Sequence, residues 1–458
     1  MLPSWRWSDL SIFDYLAEEL KKYHICLRRR NDRELYWEIC NNNDYAKELS
    51  GFYGMVQRFL SLHKNALYDF PEIKRRLKGG DAYSQYRNNL FLKIYQRIHH
   101  AYEVMLQRRR WYDFADMINS AKNAVDEIED CATGYEYILL DEVQDLSHNR
   151  CLLVRSILQK NPKCKLFAVG DDWQSIYRFT GSDLSLIWGF ERVFGLKTRR
   201  SYIESTHRFG QPAIKISCDF IQQNPTQSRK LVKNIKNTKS TINVILNKTS
   251  QLTSGQDAES LEIILESLIS EYGYEAIQRK SLQIISRYNH DISRIRSEKF
   301  AIKKRDNDSD IYDVTWQRMP AFNRALKLEF CSMHKSKGIT RDIVIVLNMN
   351  SGLMGMPATR ETDPILDAML AREDSFPFAE ERRLFYVAIT RAREATFLIA
   401  NRKNPSPYIF EVSDQIRVAY GKLCPKCHTG ELVKKRGKHG DYLRCSNYMY
   451  GCNNLKRL

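Results

Sequence analysis

Tyr137-Ile138-Leu139-Leu140-Asp141-Glu142-Val143-Gln144-Asp145 decides the fold class of this chain. A short, unbroken apolar run gives way at once to adjacent carboxylates. Such a run predicts a buried strand of a parallel sheet covered on both faces. The pattern returns at Leu166-Phe167-Ala168-Val169, which runs into Gly170-Asp171-Asp172-Trp173-Gln174-Ser175-Ile176-Tyr177-Arg178-Phe179. Helical segments flank both runs, so the reading is α/β. Working outward, a second series of strands is predicted at Ile242 to Leu246, Leu282 to Ser286, Ile343 to Leu347 and Thr396 to Ala400, with a helix over 255–271. The stretch from about 289 to 326 is highly charged and weakly periodic, which predicts an insertion. Two α/β lobes result, with a boundary near residue 200 and no internal repeat.

The 458 residues, 43% of them hydrophobic and 28% charged, suffice for about three domains with buried cores and exclude a wholly disordered or collagen-like chain. No apolar run approaches the roughly 18 residues that cross a bilayer, and no signal peptide opens the sequence, so no membrane partner and a cytoplasmic location are expected. Lys and Arg number 72 against 55 acidic residues, a formal charge of +17. That balance favours a polyanionic partner, because each cation docked on a phosphate releases a condensed counterion. A basic but merely soluble surface is the alternative. Residues 1–112 read as a polar helical segment carrying basic clusters at Arg28-Arg29-Arg30 and Arg108-Arg109-Arg110, with Trp5, Trp7, Tyr36 and Trp37 between charges. Cations and aromatics together can track a single strand by charge and base stacking, although such residues are more often solvated helix faces and satellite core.

The strand ends carry the chemistry. Carboxylates at the carboxyl edge of a parallel sheet lie where open α/β proteins bind ligands. One can hold magnesium, which prefers oxygen ligands and phosphate, while its neighbour orients or deprotonates an attacking water. An acidic turn closing a strand is the plainer reading of such a pair. In the second string the glycine permits a tight turn, the Gln174 amide can reach a phosphate or a water, and the aromatics beyond it can stack on bases. Glu380 to Arg391 reads as a helix whose Leu384, Val387, Ala388 and Arg391 share a stripe. An arginine ending an apolar stripe is costly unless it meets an anion, either a structural carboxylate or a phosphate.

Taken in order, these strings resemble the later motifs of a superfamily-one DNA helicase of the UvrD/Rep type. The wording of Gly170 to Gln174 and of Phe220-Ile221-Gln222-Gln223-Asn224-Pro225 is most similar to the helicase IV branch. The resemblance covers roughly residues 113 to 410. It implies two RecA-like parallel-sheet lobes, the first incomplete and spanning 113–200, the second spanning 201–415. It also implies ATP with magnesium as cofactor, single-stranded or partly duplex DNA as partner, and 3′-to-5′ movement driven by ATP hydrolysis. Residue by residue, Asp141 matches the magnesium-site carboxylate, Glu142 the catalytic base, and Gln174 the γ-phosphate sensor. Arg208, in Thr206-His207-Arg208-Phe209, and Arg391 match the two γ-phosphate arginines. His207 stands where the family has a tyrosine that stacks on adenine. Tyr177, Phe179 and His334 fall at DNA-contact positions. Ser332-Met333-His334-Lys335-Ser336-Lys337-Gly338 resembles a further nucleotide motif, which assigns Gly338 to the ATP site; Ser332 replaces its usual threonine, and Thr340 stands where Glu or Gln meets the ribose. Asp113-Phe114-Ala115-Asp116-Met117-Ile118 resembles the short motif upstream of the catalytic strand.

One motif is not in the sequence. Motors of this kind cradle phosphates in Gly-x-x-x-x-Gly-Lys-Ser/Thr, the Walker A loop, whose lysine and backbone amides neutralise charge. Gly421-Lys422 and Gly437-Lys438 are followed by Leu423 and His439, and neither completes it. The expectation is therefore a chain that corresponds to the carboxyl-terminal two-thirds of such a helicase, from a split or truncated gene, inactive alone. It would be a DNA-binding derivative of the motor, or one half of a split helicase whose partner chain supplies the Walker A half.

Of the eleven cysteines, Cys424, Cys427, Cys445 and Cys452 crowd the end of the chain, with two, seventeen and six residues between them. Four thiolates suit a closed, structural zinc site. Residues 421–458 resemble a topoisomerase-type zinc ribbon, and their net charge of +7 (nine Lys or Arg against two acidic residues) favours DNA.

Overall fold

The computed structural model describes residues 43–247, 255–306, 310–319, 324–360, 362–371, 374–413, 432–437, 440–445 and 455–457. The basic cluster at Arg28 to Arg30, the aromatics Trp5, Trp7, Tyr36 and Trp37, and Cys424, Cys427 and Cys452 lie outside those residues. The chain divides into two compact units, one of Met1–Gly170, Tyr177–Leu196 and Thr362–Arg372, the other of Asp171–Ile176, Lys197–Glu361 and Glu373–Leu458.

The first unit has a helical part and a small sheet. Helices Asn43–Ala66, Phe70–Arg76 and Ala82–Arg109 pack around Phe59, Ile73, Phe91 and Tyr95, joined by Ile365, Met369 and Leu370 from the far-off segment at 362–372. Their boundaries are written locally. Asp69 caps the second helix by accepting from the Glu72 amide at 2.8 Å, and Asp81 caps the third from the Ser84 amide at 2.8 Å. Arg110 closes that helix in the left-handed region at φ 54°. Helix Phe114–Glu127 starts with a reciprocal capping box between Asp113 and Asp116.

Strands β1 (Tyr137–Leu140) and β2 (Lys165–Ala168) pair in parallel, Tyr137 opposite Lys165 and Leu140 opposite Ala168. One face carries Ile138, Leu140 and Leu166 onto Cys151, Val154 and Leu158 of helix His148–Lys160. The opposite face is exposed, with Tyr137 at 62%, Leu139 at 74%, Phe167 at 60% and Val169 at 39%. The expectation of a sheet covered on both faces is thus corrected for this unit. Side chains alternate across a strand, and among the described residues only one face has a covering layer.

The second unit has the expected buried sheet. After short strands β3 (Ser205–Thr206), β4 (Gln211–Pro212) and β5 (Lys233–Asn234), the chain forms β6 (Lys239–Asn247), β7 (Leu282–Ser286), β8 (Phe300–Lys304), β9 (Tyr312–Met319), β10 (Arg324–Ser332), β11 (Arg341–Val346) and β12 (Ala392–Asn401). The eight-stranded order is β4-β6-β12-β11-β7-β10-β9-β8, parallel as far as β10 and antiparallel beyond it. Ile343, Val344, Ile345 and Val346 are all fully buried, so both faces of the central strand are covered. Helix Ala258–Tyr272 contributes Leu261, Ile264, Leu265 and Leu268 to the core on one side, at the three- and four-residue spacing of an apolar stripe.

The charged stretch at about 289–326 is not a separate insertion. Its β8 and β9 extend this sheet, and Val314, Trp316, Leu326, Leu328 and Phe330 enter the same core. Charges between these residues mask the two-residue alternation. Three antiparallel strands, β13 (Leu432–Gly437), β14 (Gly440–Cys445) and β15 (Leu455–Arg457), end the described chain, with Cys445 opposite Leu432.

Candidate nucleotide and nucleic-acid site

The second unit takes up the chain at Asp171, whose carboxylate organises the loop. Asp171 accepts from the Trp173 amide at 3.1 Å and from Gln174 Nε2 at 2.7 Å. Lys230 Nζ donates to Asp171 Oδ1 at 2.6 Å and to Asp172 Oδ1 at 2.5 Å. Burial pulls the Lys230 pKa down, but the two carboxylates outweigh it and the ammonium is held above its ordinary value. Asp172 also accepts from the Ser228 amide at 2.7 Å, and Trp173 Nε1 donates to the Ser228 carbonyl at 2.9 Å. The loop at 171–174 is therefore clipped to the segment at 228–230.

This clip fixes the Gln174 amide. A carboxylate only accepts, so the NH2 group faces Asp171 and the oxygen faces away from it. That oxygen accepts from Arg391 Nη2 at 3.3 Å. Arg391 is fully buried and also donates through Nε to the Val387 carbonyl at 2.8 Å and through Nη2 to Thr390 Oγ1 at 3.3 Å. The helix before it runs Ala379–Ile389 and is buried nearly all round, so Arg391 ends no stripe but sits just past a core helix. Tyr386 of that helix packs edge-on to Trp173, ring centroids 5.4 Å apart.

Arg208 lies in the loop after β3, and burial lowers its pKa against the raising influence of Tyr386 and Asp171. Gln174, Arg208 and Arg391 thus share the surroundings of Asp171 and Tyr386. His207, beside Arg208, is exposed. Gly210 follows, where a Cβ would come within 1.6 Å of the Thr238 carbonyl oxygen, so the backbones touch where only glycine fits.

His334 and Gly338 lie in the turn after β10. Ser336 Oγ donates to the Met333 carbonyl at 2.7 Å, and Gly338 takes φ +79°. Burial, reinforced by nearby Arg287, pushes His334 down to about 3 and keeps the imidazole neutral. Arg287 is paired with Glu381 at 2.8 Å.

The catalytic-strand carboxylates belong to the first unit. Asp141 Oδ1 accepts from the Glu142 amide at 2.8 Å, and both side chains are exposed. Glu142 is held at φ 50°, a left-handed conformation that costs a residue with a Cβ roughly 1–2 kcal/mol and recurs at functional sites. Its carboxylate accepts from the buried Gln144 amide, and the Val143 amide donates to the Val169 carbonyl at 2.9 Å. Burial and the Asp145 and Glu142 carboxylates raise the Tyr177 pKa. Tyr177 meets Phe179 with ring centroids 6.1 Å apart, and Phe179 is exposed.

The sequence reading gave no role to Asp171, Lys230, Tyr386 or Gln144. Asp171 and Gln144 stand inside quoted strings and carried a signal; Lys230 lies among ordinary polar residues, and only the tertiary fold sets it against Asp171. Asp113 and Asp116, in the short upstream motif, surround Lys64 at 2.8 and 2.5 Å, with Glu103 at 2.9 Å. No group of His, Cys, Asp and Glu suited to a metal occurs among the described residues, which hold only Cys445 of the four terminal cysteines. No described helix is long and apolar enough to cross a membrane.

Residues 8–195 match the UvrD/REP helicase N-terminal domain, and residues 313–403 the UvrD-like helicase C-terminal domain. DNA helicase IV of Escherichia coli (strain K12) is 32% identical over 318 residues, 69% of this chain and 41% of that protein. The putative ATP-dependent DNA helicase YjcD of Bacillus subtilis (strain 168) is 30% identical over 139 residues, 29% of this chain and 18% of its own. ATP-dependent DNA helicase PcrA of the same organism is 24% identical over 196 residues, 41% of this chain and 26% of its own. The chain spans less than half the length of these relatives. The N- and C-terminal domains of UvrD/REP-type helicases are thus matched in order along the chain.

Proposed function

We propose that this chain carries the hydrolytic and force-coupling residues of an ATP-dependent DNA translocase of helicase IV type, moving 3′ to 5′, and that these 458 residues alone do not turn ATP over. The observation that carries the reading is the Gln174 amide held between Asp171 and the buried Arg391. An oriented amide touching a buried guanidinium is suited to register the charge of a terminal phosphate, because any anion that draws Arg391 must also disturb Gln174. Arg208, desolvated near the same carboxylate, is the second cation.

Bound ATP with magnesium would supply the transferable phosphoryl group and neutralise its charge. Asp141 would hold the metal. Glu142 would accept the proton of the attacking water, its carboxylate oriented by Gln144. Tyr177, Phe179 and His334 would lie along the DNA, His334 as a neutral ring.

The 458 residues contain no Gly-x-x-x-x-Gly-Lys-Ser/Thr sequence, and this favours a second reading in which the chain by itself binds DNA without hydrolysis. The formal charge of +17 and the four-cysteine tail support it. Cys424, Cys427, Cys445 and Cys452 would hold structural zinc, a donor set with no open position for chemistry.

The test is DNA-stimulated phosphate release by the purified chain. Release at background, with DNA binding that weakens as salt rises, is the expected result. Vigorous DNA-dependent turnover that disappears in Glu142→Gln would overturn the claim of inactivity in isolation.

A further inference from the structure

The first unit contains a cavity of about 220 Å³ that the proposed function does not use. Helix His148–Lys160 lines it with Arg155, Leu158 and Gln159, the turn before β2 with Cys164, and helix Phe190–Phe194 with Arg192 and Phe194. β1 and β2 run parallel, and Cys164 stands immediately before β2. The cavity therefore lies at the amino edge of the small sheet, opposite the edge that carries Asp141 and Glu142.

Its floor and its rim differ in chemistry. Leu158, Cys164 and Phe194 are buried and belong to the core cluster beneath the sheet. Arg155, Gln159 and Arg192 line the same space and are exposed. Arg87 and Arg178 of this unit pair with Asp363 and Asp367, but among the described residues neither Arg155 nor Arg192 pairs with a carboxylate. Two like charges beside one cavity repel, and an anion set between them reverses the sign of that energy.

These properties select one kind of occupant. Sites that enclose a cofactor or a drug-sized ligand measure roughly 300–1,000 Å³, more than this one offers. A free inorganic anion would satisfy the arginines and leave the apolar floor in water. Single-stranded nucleic acid holds its bases on exposed rings, and the ring here, Phe194, is buried in the floor. A peptide that sets a carboxylate beside a bulky apolar side chain meets rim and floor together. Guanidinium groups give carboxylates paired N–H donors, and one apolar side chain suits the space below.

We propose that the cavity lined by Arg155 and Arg192 is a docking site for an acidic segment of a partner protein, which lays an Asp or Glu carboxylate on the two arginines and a neighbouring Phe or Leu side chain on Leu158 and Phe194.

The test is fluorescence polarisation of the full chain with a fluorescein-labelled peptide, Gly-Ser-Asp-Glu-Asp-Phe-Asp-Gly. Saturable binding is expected, with slowed amide exchange in residues 155–164 and 190–196. The double substitution Arg155→Glu with Arg192→Glu should weaken binding at least about tenfold, as expected of losing contact centres. Both positions are exposed, so the variant should fold, and its far-ultraviolet circular dichroism should match the parent. Lys236→Glu with Lys303→Glu changes the charge equally at exposed positions of the second unit and should bind as the parent does. A peptide with Ala for its Phe should bind roughly ten- to a hundredfold more weakly. No binding overturns the proposal, as does binding that the first pair of substitutions spares or that the second pair weakens equally. Undiminished binding of the Ala peptide overturns it too, because a bare anion site would then suffice. An oligodeoxythymidylate that slows exchange in the same residues, and loses that effect in the Arg155 and Arg192 variant, overturns it in favour of nucleic acid.

Discussion

The two sheets begin from similar sequence and end in different surroundings. β1 and β11 are both short, continuous apolar runs. In β11 Ile343 to Val346 are buried on both faces, whereas β1 alternates between partly covered and exposed. Apolar content alone does not say whether a strand is covered; the number of layers available to it does. In the second unit eight strands and their helices bury one another. In the first unit the larger buried cluster is the helical core around Phe59 and Tyr95, and the small sheet leans on one helix.

The largest test of this contrast is Phe330→Ala. The ring is fully buried in the second sheet, and its loss should cost about 3–5 kcal/mol in urea unfolding. A cost below about 1 kcal/mol would mean that the second sheet is far looser than its burial implies.

Next comes acid. His63 in the helical core faces the Tyr95 hydroxyl at Nδ1 and donates through Nε2 to the Tyr68 carbonyl, each at 2.8 Å. Burial, opposed by that carbonyl and aided by His99 and Lys64, lowers its pKa from 6.5 to about 4. Between those values the unfolded chain binds the proton and the folded chain does not. The stability His63 confers is therefore complete above pH 6.5 and declines as pH falls toward about 4, by about 3 kcal/mol. His63→Gln should flatten this part of the pH profile of unfolding, and an unchanged slope would remove the helical core from its proposed role.

The smallest effect is expected at Phe167→Ala on the exposed face, within about 0.5 kcal/mol for the chain alone. A multi-kilocalorie loss there would show that the face is already covered and would erase the contrast.

Much of this was legible in the sequence. The strands at Tyr137, Leu166, Ile242, Leu282, Ile343 and Thr396 all form, as their continuous apolar runs predict, although those at Tyr137 and Leu166 are covered on one face only. Gln174 and Arg391, picked from distant strings, touch. What escaped depends on tertiary context. Trp316 and Val314 alternate with polar residues on an outer strand of the sheet, which disguised a sheet extension as an insertion. The segment at 362–372 leaves its sequence neighbours to join the helical core, and nothing in its composition announces that. Lys230 acquires a role only from the two carboxylates folded against it.

Lys64 joins three helices of the first unit at one point. Its ammonium comes from helix Asn43–Ala66, while Glu103 belongs to helix Ala82–Arg109 and Asp113 and Asp116 open the next helix. With the three helices in place, this keystone lets one cation tether three anions. Withdrawing it would leave like charges facing one another inside a closed junction, so the short acidic motif there is legible as masonry as much as machinery.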